Sequence, residues 1–468
     1  MIKKAYTKCV EVELQRWLLI LITIFSWFIF PLMAKQLNPP VFLIGFVLCL
    51  FAITIGVAKV LSVNQLALKP AHKLMLVCWM GYLAALLLAT LEAASAYSLV
   101  QWCILSAKFL FFLFLLHYIN AEYIITTLRI YANLMAVTVL CAIVAVLSAL
   151  LNIHSLATVD VGGRLADVYF GNYYVLNTAI CTPTPIFRIQ GLSEEPGTYA
   201  FALLPAFFWF VIAEKAYVRS AVIIVGLMLS MSLGAGLFLL LLLPIIARKG
   251  SANYKIPIFF LSAICAIGLT YVMSGSCTNR YFENIENALM LPEDKAMSPE
   301  DKAMVTEIKA CEKRGVARSV CLDVRRGSLS TSSSGKVHSF QDRIDGLLVA
   351  FNYLRTHTMG TGAALGISTV NNSISVGYAV AVLEAGVVGG VFYLCLFAIM
   401  GWLALKIIIT TNIGSFEGQV KMVVALSVCA VLVMGAQRIQ PDLSFWHMWI
   451  YAIWFYLLQK AHCSKVLC

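Results

Sequence analysis

Five charged residues stand where their types could do chemistry. Arg188, Glu194 and Glu195 fall within one stretch, RIQGLSEEPGTYA at 188–200, immediately before an apolar run. Arg343 lies in FQDRIDGLLVAFNYLRTH at 340–357, and Glu384 in NNSISVGYAVAVLEAGVVGG at 371–390. An arginine can grip two oxygens of an anion with its planar fork, and it never loses its proton. A carboxylate within reach of a hydroxyl can orient it or take its proton. Pro196 and Gly197 place Glu195 just before a helix start, where the dipole stabilises a carboxylate and so weakens it as a base. Glu194 is the second candidate for the same role, and His338 and His357 are further alternatives. An acid at membrane depth, such as Glu384, is costly and usually functional or paired; the expected partner is Arg343 or Arg438. Gly360 and Gly362, in MGTGAALG at 359–366, let the backbone approach something closely. None of the eight Asp residues lie two apart, so there is no D-x-D metal motif, and no cysteine pair has zinc-finger spacing. No metal or cofactor is expected.

The elements that must position these groups are membrane helices. The chain is 61% hydrophobic and 12% charged, with a mean hydropathy of +0.87. Long apolar runs recur, and lipid forces the backbone within them to satisfy itself as helix. The expected spans are 17–34, 41–61, 74–91, 99–119, 131–151, 198–213, 219–247, 256–273, 378–406, 420–437 and 444–460. The stretch 219–247 is interrupted by SMSLGAG at 230–236. Two arms of about 14 residues reach roughly 21 Å each, short of a core of roughly 30 Å. They form either two short tilted spans or a re-entrant hairpin, and in both cases the chain returns to the side it left.

With that return, lysine and arginine sort to one side. Lys59, Lys69, Lys73, Arg129, Lys215, Arg219, Arg248, Lys249, Lys255, Lys406, Lys421, Lys460 and Lys465 join the N-terminal basic residues inside. The positive-inside rule then makes both termini cytoplasmic. It also accounts for the net charge of +11 without nucleic acid. The expectation is an all-α polytopic integral membrane protein, a single transmembrane domain over 1–468. It has about twelve membrane helices and two outer-face loops, 152–197 and 274–377.

The larger loop carries a tandem heptad, PEDKAMS then PEDKAMV, at 292–305, and a flexible connector, STSSSGK, at 330–336. After it, Ile344, Leu347, Leu348, Phe351 and Leu354 recur on one face of a helix that would lie along the membrane surface or roof a cavity. Cys181, Cys277, Cys311 and Cys321 fall in the outer loops, where oxidation is possible and the pairing is open.

RIQGLSEEPGTYA resembles the R-x-x-G…E-P…A signature of Wzy-type O-antigen polymerases, and more distantly that of the related O-antigen ligases. DRIDGLLVAFNYLRTHTMGTG resembles their second loop pattern, an arginine followed by an amphipathic helix and G-x-G. NNSISVGYAVAVLEAGVVGG resembles the stretch that re-enters the membrane. The layout of spans and loops is similar over most of the chain, while the motifs cover about 50 residues. Two positions depart from the pattern. Asn371-Asn372 stands where ligases usually carry a His before the Asn, which favours polymerase. Ser232-Leu233-Gly234 stands where the family often has Ser-Arg.

The resemblance implies a GT-C-like membrane fold in a bacterial inner membrane, with periplasmic loops. It implies polymerisation of undecaprenyl-pyrophosphate-linked oligosaccharide, the alternatives being an O-antigen ligase or a polysaccharide flippase. The partners it implies are the lipid-linked glycan, the bilayer and a chain-length regulator. In this reading Arg188 and Arg343 hold the pyrophosphate, and Glu195 assists the acceptor hydroxyl. Gly191, Glu194, Gly360, Gly362, Asn371, Asn372 and Glu384 line the substrate.

Overall fold

A computed structural model of the 468-residue chain describes residues 16–27, 70–151, 157–160, 165–169, 173–178, 186–191, 196–230, 338–366, 376–437 and 444–463. Single positions are also described between 47 and 54, at 153 and 155, and between 232 and 242. The chain divides into two units, one of Met1–Asn177, Phe187–Ala266 and Asp345–Cys468, the other of Thr178–Ile186 and Ile267–Ile344.

The first unit is a helical bundle. Its described helices are α1 (Arg16–Trp27), α2 (Pro70–Glu92), α3 (Ala96–Tyr118), α4 (Ala121–Leu150), α5 (Pro196–Phe208) and α6 (Tyr217–Ser230). They continue with α7 (His338–Thr356, its first turns in the other unit), α8 (Gly377–Thr410), α9 (Phe416–Gln437) and α10 (Phe445–Cys463). Among the described residues, six apolar helices are long enough to cross a membrane: Pro70–Glu92, Ala96–Tyr118, Ala121–Ser148, Gly197–Glu214, Gly377–Thr410 and Phe416–Gly435. They correspond to expected spans, and the multi-pass membrane class follows from them. The expected span 256–273, all of 41–61 but isolated positions, and the end of 219–247 beyond Leu242 lie outside the described residues.

Short polar side chains start several of these helices by taking up a free N–H of the first turn. Ser95 Oγ accepts from Ser98 N at 3.3 Å, Asn120 Oδ1 from Tyr123 N at 2.8 Å, and Ser444 Oγ from His447 N at 3.3 Å. The core is aromatic. Trp27 meets Tyr131 and Trp449 edge-on at 5.1 and 4.9 Å, and all three are buried. Tyr131 Oη finds a partner across helices, donating to Ala202 O at 2.7 Å.

Pro205 lies inside α5, where it supplies no N–H, and the ladder then re-registers into a π-helical turn at Trp209–Glu214. That turn ends at Lys215 in the left-handed region, φ 55°.

The segment 152–197, expected as an outer-face loop, departs from the all-α expectation. It contains a four-stranded sheet in the order β1-β2-β3-β4: Ala157–Asp160, Leu165–Tyr169, Tyr173–Thr178 and Ile186–Gly191. β1 and β2 pair antiparallel from Ala157↔Val168 to Asp160↔Leu165, and β2 and β3 from Ala166↔Leu176 to Tyr169↔Tyr173. The first three strands are rich in Val, Tyr and Thr, which suit a pleated surface, and Gly-containing steps separate them.

Candidate functional site

Two of the three chemistry-bearing stretches meet at a break in α8. A straight helix of 34 residues would measure about 51 Å, more than the hydrocarbon core requires. At Gly386, φ is 71° and ψ −173°, a conformation open essentially only to glycine. The break leaves a short arm, Gly377–Ala385, and a long arm that continues to Thr410.

The bonds around the break show what it does. In an uninterrupted helix the Val387 N–H would donate to Leu383 O. Instead it donates to Thr358 O at 2.9 Å, and Leu383 O accepts from Thr361 N at 3.0 Å. Glu384 O, freed in the same way, accepts from Gly362 N at 3.0 Å. The loop 358–363 is thus inserted into the ladder of α8, supplying the partners the break would otherwise orphan.

The loop is fastened on its other side to α2 and α3. Ala363 N donates to Thr90 Oγ1 at 3.1 Å, and Ser98 Oγ lies 3.4 Å from the same oxygen. This approach accounts for both loop glycines. A side chain at Gly360, φ 92°, would come within 2.6 Å of Glu384 O, and one at Gly362, φ 89°, within 2.9 Å of Ser98 Oγ.

Glu384 lies on the short arm, next to the break, and is 6% exposed. A methyl at Gly366 would stand 3.1 Å from its Cγ and 3.6 Å from Oε1, so the returning loop also walls the carboxylate. The short arm is held from two directions. Ala350 and Leu354 of α7 pack on Val376, Ala379, Val380 and Leu383, and Tyr378 Oη donates to Leu432 O of α9 at 3.0 Å.

The packing face of α7 is therefore Ala350 and Leu354. Of the apolar face expected from periodicity, Leu354 turns inward, while Leu347, Leu348 and Phe351 are exposed. His357 is exposed, stacks on Tyr353 at 4.3 Å and contacts Thr356 Oγ1 through Nδ1 at 2.8 Å.

The remaining expected site residues are placed as follows. Arg188 and Gly191 lie on β4, in the first unit, with Ile189 between them fully buried. Five residues further on, α5 begins at Pro196. Arg343 lies near the start of α7, in the second unit. Glu194, Glu195, Asn371, Asn372 and Arg438 lie outside the described residues. The structure brings Gly360, Gly362 and Glu384 together, and Arg188 and Arg343 belong to different units.

The N–H groups of Gly360, Thr361, Gly362 and Ala363 all donate to acceptors within the protein. They close a joint rather than cradle an anion. Thr90 and Gly386 complete that joint, and neither was singled out from sequence. Gly386 stands two residues after Glu384, near the expected start of a span, and it signals a break only together with its partner loop 358–363. The chain matches no protein-family model and no curated protein.

Proposed function

We propose that this protein joins lipid-linked oligosaccharide repeat units into a polysaccharide, as O-antigen polymerases do, at the outer face of a bacterial inner membrane. The observation that carries the reading is the order of three motif-like stretches along a multi-pass membrane chain: 188–200, 342–362 and 371–390. That two of these, otherwise separate in sequence, bond to each other around Glu384 supports treating them as parts of one site.

In this reading a sugar hydroxyl of the acceptor attacks the anomeric carbon of the donor. The bond from that carbon to the undecaprenyl pyrophosphate oxygen breaks, and the hydroxyl proton passes to a carboxylate. Arg188 and Arg343 stabilise charge building on the departing pyrophosphate, in place of a metal cation. Glu195 orients or deprotonates the hydroxyl. Glu384, buried behind the loop, positions rather than reacts. The proposal includes about twelve spans in a GT-C-like arrangement, cytoplasmic termini, periplasmic loops at 152–197 and 274–377, and a chain-length regulator as partner.

Deletion of the gene followed by gel analysis of surface lipopolysaccharide tests it. A ladder that collapses to lipid A–core plus a single repeat supports the polymerase. Loss of every repeat, with polymer held on the lipid carrier, would assign a ligase instead. An unchanged ladder would remove both.

A further inference from the structure

We infer that Arg129, Arg219 and Glu214 form a binding site for the phosphate of an anionic phospholipid headgroup, at the membrane face opposite the helix break's loops in the proposed topology. Arg129 Nε donates to Glu214 Oε1 at 2.9 Å, and Arg219 Nη1 lies 3.2 Å from Glu214 Oε2. The same Arg219 nitrogen donates to Asn133 Oδ1 at 2.8 Å, and its guanidinium stands 4.9 Å over the Phe210 ring. One carboxylate thus holds two arginines rigid while one positive charge is left uncompensated.

The arginines are held but not covered. Their side chains are 56% and 47% exposed, against 15% for Glu214. Arg129 is engaged through Nε alone among the described residues, which leaves both Nη nitrogens to form a fork toward a further acceptor. A surface ion pair needs no such arrangement: a single lysine would neutralise Glu214.

Depth identifies the ligand. α4 spans 30 residues, about 45 Å at about 1.5 Å per residue. From Ile130 to Leu150 it measures roughly 31 Å, which matches a hydrocarbon core of roughly 30 Å. Arg129 then falls where the core ends and lipid phosphates lie. Glu214 closes the span Gly197–Glu214, so it reaches the same boundary from the neighbouring helix. Tyr217 and Val218, both exposed, start α6 just before Arg219 and present apolar surface at the same boundary.

The π-helical turn explains how the site is built. By widening the helix after Pro205 and ending it at a left-handed Lys215, it carries Glu214 between two arginines from different helices. This site uses none of the residues of the polymerase reading and takes from it only which membrane face it lies on.

The test is native mass spectrometry of the full-length detergent-purified protein with phosphatidylglycerol, phosphatidylcholine or inorganic phosphate. The first phosphatidylglycerol is expected to bind wild type, with phosphatidylcholine weaker. Arg129→Gln and Arg219→Gln should each weaken phosphatidylglycerol binding about fivefold or more. Arg219→Lys, which keeps the charge but not the fork, should weaken it as well. Lys406→Gln removes an exposed basic residue at the end of α8 and should leave the first lipid bound. Thermal unfolding of each variant without lipid separates lost binding from lost fold, and only variants within the wild-type midpoint are compared. Equal binding by wild type and both glutamine variants overturns the inference, as does an equal effect of Lys406→Gln. Inorganic phosphate that displaces the lipid at millimolar concentration would make this a soluble-anion site and refute the lipid assignment.

Discussion

Replacing Gly386 by alanine tests the inserted loop directly, because the consequences can be worked out along both routes open to the chain. If the break is kept, alanine must occupy a φ/ψ region that costs about 1–3 kcal/mol. Its Cβ would also overlap the Met359 carbonyl, which is backbone and cannot turn aside. If α8 straightens instead, Val387 N returns to Leu383 O and the loop is expelled. The bonds Thr361 N to Leu383 O, Gly362 N to Glu384 O and Val387 N to Thr358 O are then lost. At about 0.5–1.5 kcal/mol net each, partly recovered by the restored helix, this route also costs on the order of 2 kcal/mol.

Gly401→Ala is the control. It makes the same chemical change inside the long arm, where the new methyl would stand 3.4 Å from Leu432 Cδ1, an ordinary contact. It should stabilise by about 0.5–1 kcal/mol through backbone entropy. Thermal unfolding in detergent reads the opposite signs. Limited trypsin digestion distinguishes the two routes for Gly386→Ala, since an expelled loop opens the chain after the exposed Arg355. A Gly386→Ala protein with wild-type midpoint and wild-type digestion would refute the role assigned to the break.

Other outcomes follow from single contacts. Thr90→Val removes the acceptor for the buried Ala363 N–H and should cost about 1–3 kcal/mol, whereas Thr90→Ser should retain stability; denaturant unfolding of both variants checks this. A methyl at Gly226 would lie 2.6 Å from Val139 Cγ2, so Gly226→Ala should destabilise by about 1–3 kcal/mol. Adding Val139→Ala should restore part of that loss, seen as a coupling in a double-mutant cycle. Arg188→Lys keeps charge but loses the bidentate grip, and should shorten the polysaccharide ladder at unchanged protein level. A drop of about tenfold in polymer formed corresponds to about 1.4 kcal/mol of barrier; a normal ladder would remove Arg188 from the pyrophosphate.

The long helices were legible because hydropathy over about 20 residues is a strong signal and lipid admits few alternatives. Expected 74–91 became Pro70–Glu92, and 420–437 became Phe416–Gln437. The sheet is harder to see, because 152–197 also reads as a connection between spans. Yet LADVYFGNYYVLNT carries aromatic and β-branched residues on both sides of a Gly-Asn step, which is a hairpin signal. The break in α8 is a different case. LEAGVVGG offers three glycines, and only Gly386 is left-handed. Gly389 instead admits Ala85 of α2, to which a methyl would stand 3.0 Å away. Nothing local separates these roles, because the positive φ is needed only where a loop more than twenty residues earlier inserts its own N–H groups.

The same distance in sequence decides what the loop glycines can do. Glycine permits close approach, and from sequence alone the thing approached is as readily a phosphate as a carbonyl. Donors settle it. A loop whose successive N–H groups reach Leu383 O, Glu384 O and Thr90 Oγ1 has spent its capacity to bind an anion. Any recognition of a charged glycan carrier must then come from side chains, and the loop acts by fixing where Glu384 and the short arm of α8 stand. Mutations at Gly360 or Gly362 should accordingly lower stability and activity together. A variant there that lost activity with its unfolding midpoint intact would return these backbone groups to the substrate.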